Sequence, residues 1–253
     1  MANAPARSGP GSASDLILVH SSDIHVDDGY MARLFRGDGT GGLRCVLDTA
    51  RGLGADVVLL AGDIFDHNRL PLDLLQQTAR ALGDCGMKVV MLPGNHDPLV
   101  PESVYLRGPL AEPDNVHVLG VTHDPAVTIE GFDLEVWGNA HRDYNDMAPL
   151  RAPRTRSARW HVAMAHGHYH PTPDYSTPYR PAWLFGDGDI AATGADYVAL
   201  GHWNRAVKVG NGGVPAYYSG SPDYARTVNR IRLHGNGTVD VDRVPIDGLP
   251  PMD

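Results

Sequence analysis

Five short clusters in this chain carry atoms that hold cations or move protons, and each directly follows an apolar run. In Ser21-Ser22-Asp23-Ile24-His25, Asp23 and His25 stand two apart, a spacing that sends both side chains to one side of an extended backbone. A carboxylate oxygen and an imidazole nitrogen then converge on one point. In Ala61-Gly62-Asp63-Ile64-Phe65-Asp66, Gly62 permits close backbone approach and Asp63 stands at the end of its run, where open α/β sheets place their ligands. Asp66 reads as an acid that caps the loop, with ligation as its alternative. In Pro93-Gly94-Asn95-His96-Asp97, Asn95 offers a side-chain oxygen to a hard cation, and His96, held by an acid such as Asp97, has the arrangement of a general acid. A plain polar turn is the alternative there. The last two clusters are Ala165-His166-Gly167-His168-Tyr169-His170 and Leu200-Gly201-His202-Trp203-Asn204. A lone histidine is more often a satisfied polar residue than a ligand. Five such clusters in order, each at the end of a buried run, point instead to one shared site.

The apolar runs are the elements that must position these groups. Leu16 to Val19, Val57 to Ala61, Lys88 to Leu92, Val162 to Ala165 and Tyr197 to Leu200 read as buried strands. Between the first three, Leu43 to Leu53 spaces its apolar residues as a helix that stops at Gly54, and Pro71 to Leu82 is a second helix with proline at its start. The stretch from Val116 to Trp137 alternates weakly and reads as antiparallel pairing, as does Val207 to Val244. Early strand–helix alternation followed by antiparallel strands predicts an α/β (α+β) domain, with two mixed sheets packed face to face and helices outside. Arg142, Arg151, Arg154, Arg156 and Arg159 lie among prolines in a surface loop, either solvated or facing an anion. The Pro/Tyr-rich loop from Pro171 to Pro181 is too long for a simple turn, and long ordered loops are often functional.

Composition narrows the class. With 253 residues, 42% apolar and 20% charged, the chain has room for its own core and the make-up of an ordinary globular domain. No apolar run approaches the ~18–20 residues needed to cross a bilayer, so no membrane span is expected. Thirty acidic against twenty-one basic residues, with Lys88 and Lys208 the only lysines, give a formal charge of -9 that repels a polyanion unless basic groups gather on one face. Cys45 and Cys85, lacking any C-x-x-C pair, read as two free buried thiols. The Ala/Ser/Gly/Pro-rich start has no apolar core for a signal peptide. A disordered tail over residues 1–14, a single catalytic domain over 15–253 and a cytoplasmic location are therefore expected.

Taken together, the clusters resemble the calcineurin-like metallophosphoesterases, whose pattern is D-x-H, G-D-x-x-D, G-N-H-D/E, a lone H, then G-H-x-H. The chain supplies Asp23/His25, Gly62-Asp63-Ile64-Phe65-Asp66, Gly94-Asn95-His96-Asp97, His166 and Gly201-His202. The wording His20-Ser21-Ser22-Asp23, Asp196-Tyr197-Val198-Ala199-Leu200-Gly201-His202 and Tyr218-Ser219-Gly220-Ser221-Pro222 is similar to the SbcD-type DNA-repair exonuclease branch. The resemblance implies a four-layer α/β/β/α sandwich and a dinuclear centre. Asp23, His25 and Asp63 would hold the first ion, Asp63 would bridge, and Asn95, His166 and His202 would hold the second. His96, steadied by Asp97, would sit over the leaving group, and His166 rather than His168 would be the ligand. Two divalent ions ~3.5–4 Å apart lower the pKa of a shared water and offset the charge of an in-line displacement. The mixed donors suit Mn²⁺, with Fe, Zn²⁺ or Mg²⁺ as alternatives, better than Ca²⁺. One position departs from the pattern: Asn204 stands where a final histidine would hold the first ion.

The function expected is thus a metal-dependent phosphoesterase acting through a metal-bound hydroxide on a phosphodiester or phosphomonoester, with a small phosphate ester or nucleotide as substrate. An SbcD-like DNA nuclease is the alternative. It is less favoured because of the acidic charge and because the closing strands run almost to Asp253, which leaves no space for DNA-capping and partner-docking segments. A non-catalytic metal-binding scaffold, with Asn204 marking a degenerate site, is the reading from another class.

Overall fold

The computed structural model describes residues 15–251. The tail expected over residues 1–14 lies outside the described residues. The amino-terminal half runs β1 (Leu16–Ser21), α1 (Tyr30–Leu34), α2 (Gly41–Gly52), β2 (Val57–Ala61), α3 (Leu72–Gly83), β3 (Lys88–Leu92), α4 (Val104–Arg107), β4 (Val116–Val118), β5 (Ala126–Ile129) and β6 (Leu134–Gly138). It continues with β7 (Trp160–His166), β8 (His168–Tyr169), β9 (Leu184–Phe185), α5 (Asp187–Ala192), β10 (Tyr197–Gly201), β11 (Val207–Val209), β12 (Ala216–Tyr218), β13 (Thr227–Leu233) and β14 (Val239–Pro245). All five expected buried strands are present.

Two six-stranded mixed sheets result, in the orders β14-β13-β1-β2-β3-β4 and β11-β12-β10-β7-β6-β5. In the first, β1 to β4 are mutually parallel and β13 closes antiparallel on β1. In the second, β6, β7, β10 and β12 are parallel, with β5 and β11 antiparallel at the edges. The two-residue period of each strand divides its side chains between layers. Val58 and Leu60 of β2 join Leu43, Val46 and Leu47 of α2 and Leu75 and Leu82 of α3 in an outer core, whereas Val57 and Leu59 face the second sheet. Val162 and Met164 of β7 meet them from the other side, while Ala163 and Ala165 turn outward to Phe185 of β9 and Ile190 of α5. Burial on both faces is why these strands read as unbroken apolar runs. The expected α/β/β/α sandwich is thus present, with a thin fourth layer: its helix α5 has six residues.

The stretch from Val116 to Trp137 departs from the antiparallel expectation. Only β5 and β6 pair antiparallel; β4 belongs to the first sheet, because the connection through α4 returns the chain parallel to β3. In the arginine-rich loop, Arg142, Arg154 and Arg156 are engaged by Asp124, Glu135 and Asp196 at 2.5, 3.6 and 2.7 Å, so they serve the fold rather than an anion. Cys85 is buried as expected, and Cys45 is only half-buried. No helix among the described residues is long and apolar enough to cross a membrane.

One polar group ties the sheets together. His20, two residues past the inward-facing Leu18, is fully buried, and its Nδ1 faces the Tyr197 hydroxyl of the second sheet at 2.9 Å and the Asn229 amide at 3.4 Å. Burial pushes its pKa from 6.5 down to about 3. The folded state therefore keeps His20 neutral where the unfolded chain takes up a proton, so its contribution to stability is complete above pH 6.5 and is lost progressively toward pH 3. Urea unfolding at about pH 7.5 and about pH 5 checks this: the wild type is expected to lose more stability over that interval than His20→Gln, and an equal loss in both proteins would refute it.

Candidate metal centre

Strands β1, β2, β3, β7 and β10 deliver the five clusters from their carboxyl ends. Beyond β1 the backbone is not extended, contrary to the expectation for Asp23 and His25: both are left-handed, with φ of 53° and 51°, and Asp63 repeats this at 50°. Non-glycine residues enter that region at a cost and persist there only when neighbours over-determine them. Here the determinants are backbone hydrogen bonds from Asp23 N to Gly62 O at 3.0 Å, His25 N to Asp63 O at 3.1 Å and Val26 N to Ile64 O at 2.8 Å. The two loops beyond β1 and β2 thereby hold one another. Close approach is needed elsewhere too. A Cβ on Gly94 would lie 2.2 Å from Asp63 Oδ1, and one on Gly201 would lie 1.9 Å from the Ala61 carbonyl and 2.7 Å from His166 Nδ1, so both positions demand glycine.

Three groups of ligand atoms form among the described residues, each with its members within 4.8 Å of one another: Asp23, His25 and Asp63; Asp63, His166 and His202; and the more exposed His25, Asp66 and His96. Asp63 belongs to the first two. Asn95 joins the second group, its Oδ1 lying 3.1 Å from His166 Nε2 and 3.1 Å from His202 Nδ1. The Asp63 carboxylate accepts the His96 backbone N–H at 2.9 Å and meets His166 Nε2 at 3.1 Å. Asp23 accepts the Ser22 hydroxyl at 2.5 Å and the His202 backbone N–H at 3.0 Å, and Ser22 in turn meets Ser219 at 2.8 Å.

The fit of this donor set to a cation can be tested on His166. Its Nδ1 lies 2.9 Å from the Ala61 carbonyl, which can only accept, so Nδ1 carries the proton. In the neutral ring Nε2 is then a lone pair, yet it faces Asp63 Oδ2 and Asn95 Oδ1, both at 3.1 Å. Three acceptors converge where only a proton or a metal ion can satisfy them. Without metal the proton takes that place: burial alone would push the His166 pKa down, but the facing Asp63 carboxylate raises it to about 9. Burial likewise works to raise Asp63, and His166 outweighs it and holds the carboxyl well below the usual range. Asp23, with burial dominant, is pushed up to about 6, and His202 is pushed down to about 4 by burial and by the His166 charge. Carboxylate, amide oxygen and imidazole around a shared carboxylate fit divalent transition ions.

The structure thus brings Asp23, His25, Asp63, Asn95, His166 and His202 together. His168 stands outside the group, beside the Trp203 indole N–H at 3.4 Å. Asp97 does not hold His96. Its carboxylate is buried and accepts the Gly94 and Phe65 N–H groups at 2.6 and 3.0 Å and the Tyr105 hydroxyl at 2.7 Å, clasping the loops after β2 and β3. The acid beside His96 is Asp66, and it is not a loop cap: His96 Nδ1 lies 3.0 Å from the Asp66 carbonyl and 3.7 Å from its carboxylate, which also meets His25 Nδ1 at 3.1 Å. Asn204 is exposed, and among the described residues only its backbone carbonyl is engaged, by Ser221 N–H at 3.3 Å. Sequence reasoning quoted Ser219 within the Tyr218–Pro222 wording but gave it no role, and it missed His141, whose Nε2 lies 2.9 Å from the His166 carbonyl and which no local motif marks. Asp66 was visible in the G-D-x-x-D spacing.

Because the ring of His166 is protonated in the metal-free protein up to about pH 9, ion uptake must displace that proton. Calorimetric titration with Mn²⁺ at about pH 7.5, in buffers of different ionisation enthalpy, is expected to report roughly one proton released, falling toward zero above the His166 pKa. Uptake without proton release would place the ion elsewhere.

The model of the calcineurin-like phosphoesterase family matches residues 17–205. Over 210 residues the chain is 29% identical to the uncharacterized metallophosphoesterase YhaO of Bacillus subtilis, covering 76% of this chain and 49% of YhaO. Over 202 residues it is 28% identical to the SbcD component of the nuclease SbcCD from the same organism, covering 66% and 51%. A segment of 84 residues, 32% of this chain and 20% of the relative, is 36% identical to the DNA double-strand break repair protein Mre11 of Aeropyrum pernix. The chain spans about half the length of the two Bacillus relatives. A solved crystal structure shares the fold with a TM-score of 0.57 at 15% identity, over 90% of this chain and 99% of that one. From the matched family model and the ligand clusters that lie within it, the chain belongs to the calcineurin-like phosphoesterase family.

Proposed function

We propose that the protein is a metal-dependent hydrolase of phosphodiester or phosphomonoester bonds, working at two divalent ions. Asp23, His25 and Asp63 would hold one, and Asp63, Asn95, His166 and His202 the other. The observation that carries this reading is the convergence of two ligand groups on the single carboxylate of Asp63. Two ions bound there would polarise the phosphoryl oxygens and make water nucleophilic near neutral pH. Mn²⁺ is the first choice, with Fe, Zn²⁺ and Mg²⁺ as alternatives.

The remaining chemistry belongs to the chain. His96 lies edge-on to His25 with ring centroids 4.8 Å apart, and its Nδ1 is fixed by the Asp66 carbonyl. That hydrogen bond leaves Nε2, on a ring still 46% exposed at its side chain, to carry a proton to the leaving oxygen. Asp66 orients both imidazoles. Ser22 and the His202 backbone N–H hold the Asp23 carboxylate at its two oxygens, and His141 braces the backbone of His166. A DNA nuclease is the second reading, favoured by the presence of the SbcCD nuclease and Mre11 among the relatives. A non-catalytic scaffold is opposed by the complete set of converging acceptors around His166.

Hydrolysis of bis-p-nitrophenyl phosphate and of the monoester, with and without Mn²⁺, tests the proposal. Turnover that requires metal and disappears in Asp63→Asn is expected, and no turnover with any of the four metals would sink the enzymatic reading. His96→Ala is expected to lower kcat by about 10²–10⁴-fold on alkyl esters, and less on activated nitrophenyl esters, with bound metal by elemental analysis unchanged. Loss of metal in that variant would make His96 a ligand instead.

A further inference from the structure

We propose that a cleft beside the candidate metal centre is a nucleoside subsite, and hence that the substrate is a phosphoester bearing a nucleoside; this rests on the hydrolytic reading above. The cleft has a volume of about 420 Å³, is lined by His202, Trp203, Asn204, Arg205 and Tyr224, and shares His202 with the ligand cluster. That volume lies in the range of small-ligand clefts, roughly 300–1,000 Å³. A phosphate held at the cluster would therefore present whatever it carries to these walls.

Their chemistry is that of base recognition. The Trp203 ring stacks on Tyr218 with centroids 4.4 Å apart and planes 9° off parallel, and its indole N–H points at His168 Nδ1 at 3.4 Å. Tyr218 is itself buried and donates to the Gly167 carbonyl at 2.7 Å. The indole is thus a platform whose pose is set before any ligand arrives, which reduces the ordering cost of stacking. Tyr224 adds a second ring, 56% exposed, on the same cleft. Such rings stack on any base, at about 1–3 kcal/mol per base. Asn204 brings an exposed amide with both donor and acceptor, the pairing that a base edge offers in return. The exchange of the family's final histidine for asparagine then adds a base contact rather than merely removing a ligand.

The charge distribution points the same way. Arg205 makes no ion pair among the described residues, in a chain with a formal charge of -9. Tyr224 also lines an outer cavity of about 490 Å³ with Tyr30, Arg33, Arg226 and one acid, Asp223. Arg33 and Arg226 likewise lack an acidic partner among the described residues, and Arg226 bonds only the Leu249 carbonyl at 3.3 Å. Aromatic rings and guanidinium groups therefore line both cavities, which share Tyr224. A second nucleotide, its base and phosphate on the outer cavity, continues the first.

The test compares thymidine 5′-(p-nitrophenyl phosphate) with methyl p-nitrophenyl phosphate on the Mn²⁺-loaded protein, and separately measures binding of thymidine 5′-monophosphate and of the dinucleotide pTpT by tryptophan fluorescence. The nucleoside ester is expected to have the higher kcat/KM. Tyr224→Ala, a change at an exposed ring that leaves the Trp203–Tyr218 stack in place, is expected to cut that preference about 5- to 100-fold, mainly through KM, with Arg205→Ala acting in the same direction. Arg33→Ala is expected to weaken pTpT more than the mononucleotide if the ligand is a strand end, and to affect both alike if it is a free nucleotide. Equal kcat/KM for the two esters, with no fluorescence response to either nucleotide, would overturn the subsite and leave the hydrolytic reading standing. Nucleotide binding that is lost in Tyr224→Ala, but with neither ester hydrolysed, would uphold the subsite and remove the hydrolytic reading.

Discussion

The rest of the structure depends on one buried carboxylate. Asp63 is 3% exposed, carries its charge at neutral pH and stands within reach of ligand atoms from β1, β7 and β10. A charge so placed is costly unless it is paired and hydrogen-bonded, and removing its partner would leave that cost uncompensated. His166 provides the pairing, the His96 backbone N–H provides the hydrogen bond, and the left-handed turns at Asp23, His25 and Asp63 aim the remaining groups. The left-handed turns are themselves unfavourable in isolation. They persist because the loops after β1 and β2 are bonded to one another and cannot relax independently.

What makes those loops rigid is the sandwich beneath them. Strands β1, β2, β7 and β10 are buried on both faces, so they are held by an outer layer and by the opposite sheet at once. His20 and Tyr197 join the two sheets through a hydrogen bond three residues before Asp23 and five before His202. Asp97 performs a comparable task between β2 and β3. Its three hydrogen bonds to Phe65, Gly94 and Tyr105 set the distance between Asp63 and Asn95 without its carboxylate facing the cluster. An acid in a motif thus acts through the backbone it clasps.

Net charge also proves to be a poor guide to local charge here. Arg142, Arg154, Arg156, Arg180 and Arg230 are taken up by carboxylates. Arg33, Arg205 and Arg226, which line the cavities at Tyr224, have no carboxylate partner among the described residues. A repulsive average field and an attractive cleft can therefore coexist, because screening confines each charge to a range of about 8–10 Å.

Local features of the chain were legible without coordinates. Unbroken apolar runs declared strands buried on both faces, the spacing of Leu43, Val46, Leu47 and Ala50 declared an amphipathic helix, and the order of Asp, Asn and His at strand ends declared a cation site. These signals are carried by residues within a few positions of each other, so the sequence alone determined the element types, the two-sheet class and the kinds of donor. Tertiary structure decided the rest. Whether Asp66 or Asp97 attends His96 depends on the direction of a carboxylate, and Asp97 is drawn inward by Phe65, 32 residues away, and by Tyr105. The partners of Asp23 include Ser22 and, through it, Ser219, 197 residues from Ser22. The backbone sign at Asp23 and His25, the parallel placement of β4 and the exposure of Asn204 are likewise set by segments that meet only on folding. Hydrogen-bond direction and burial are properties of pairs distant along the chain, and no short pattern records them.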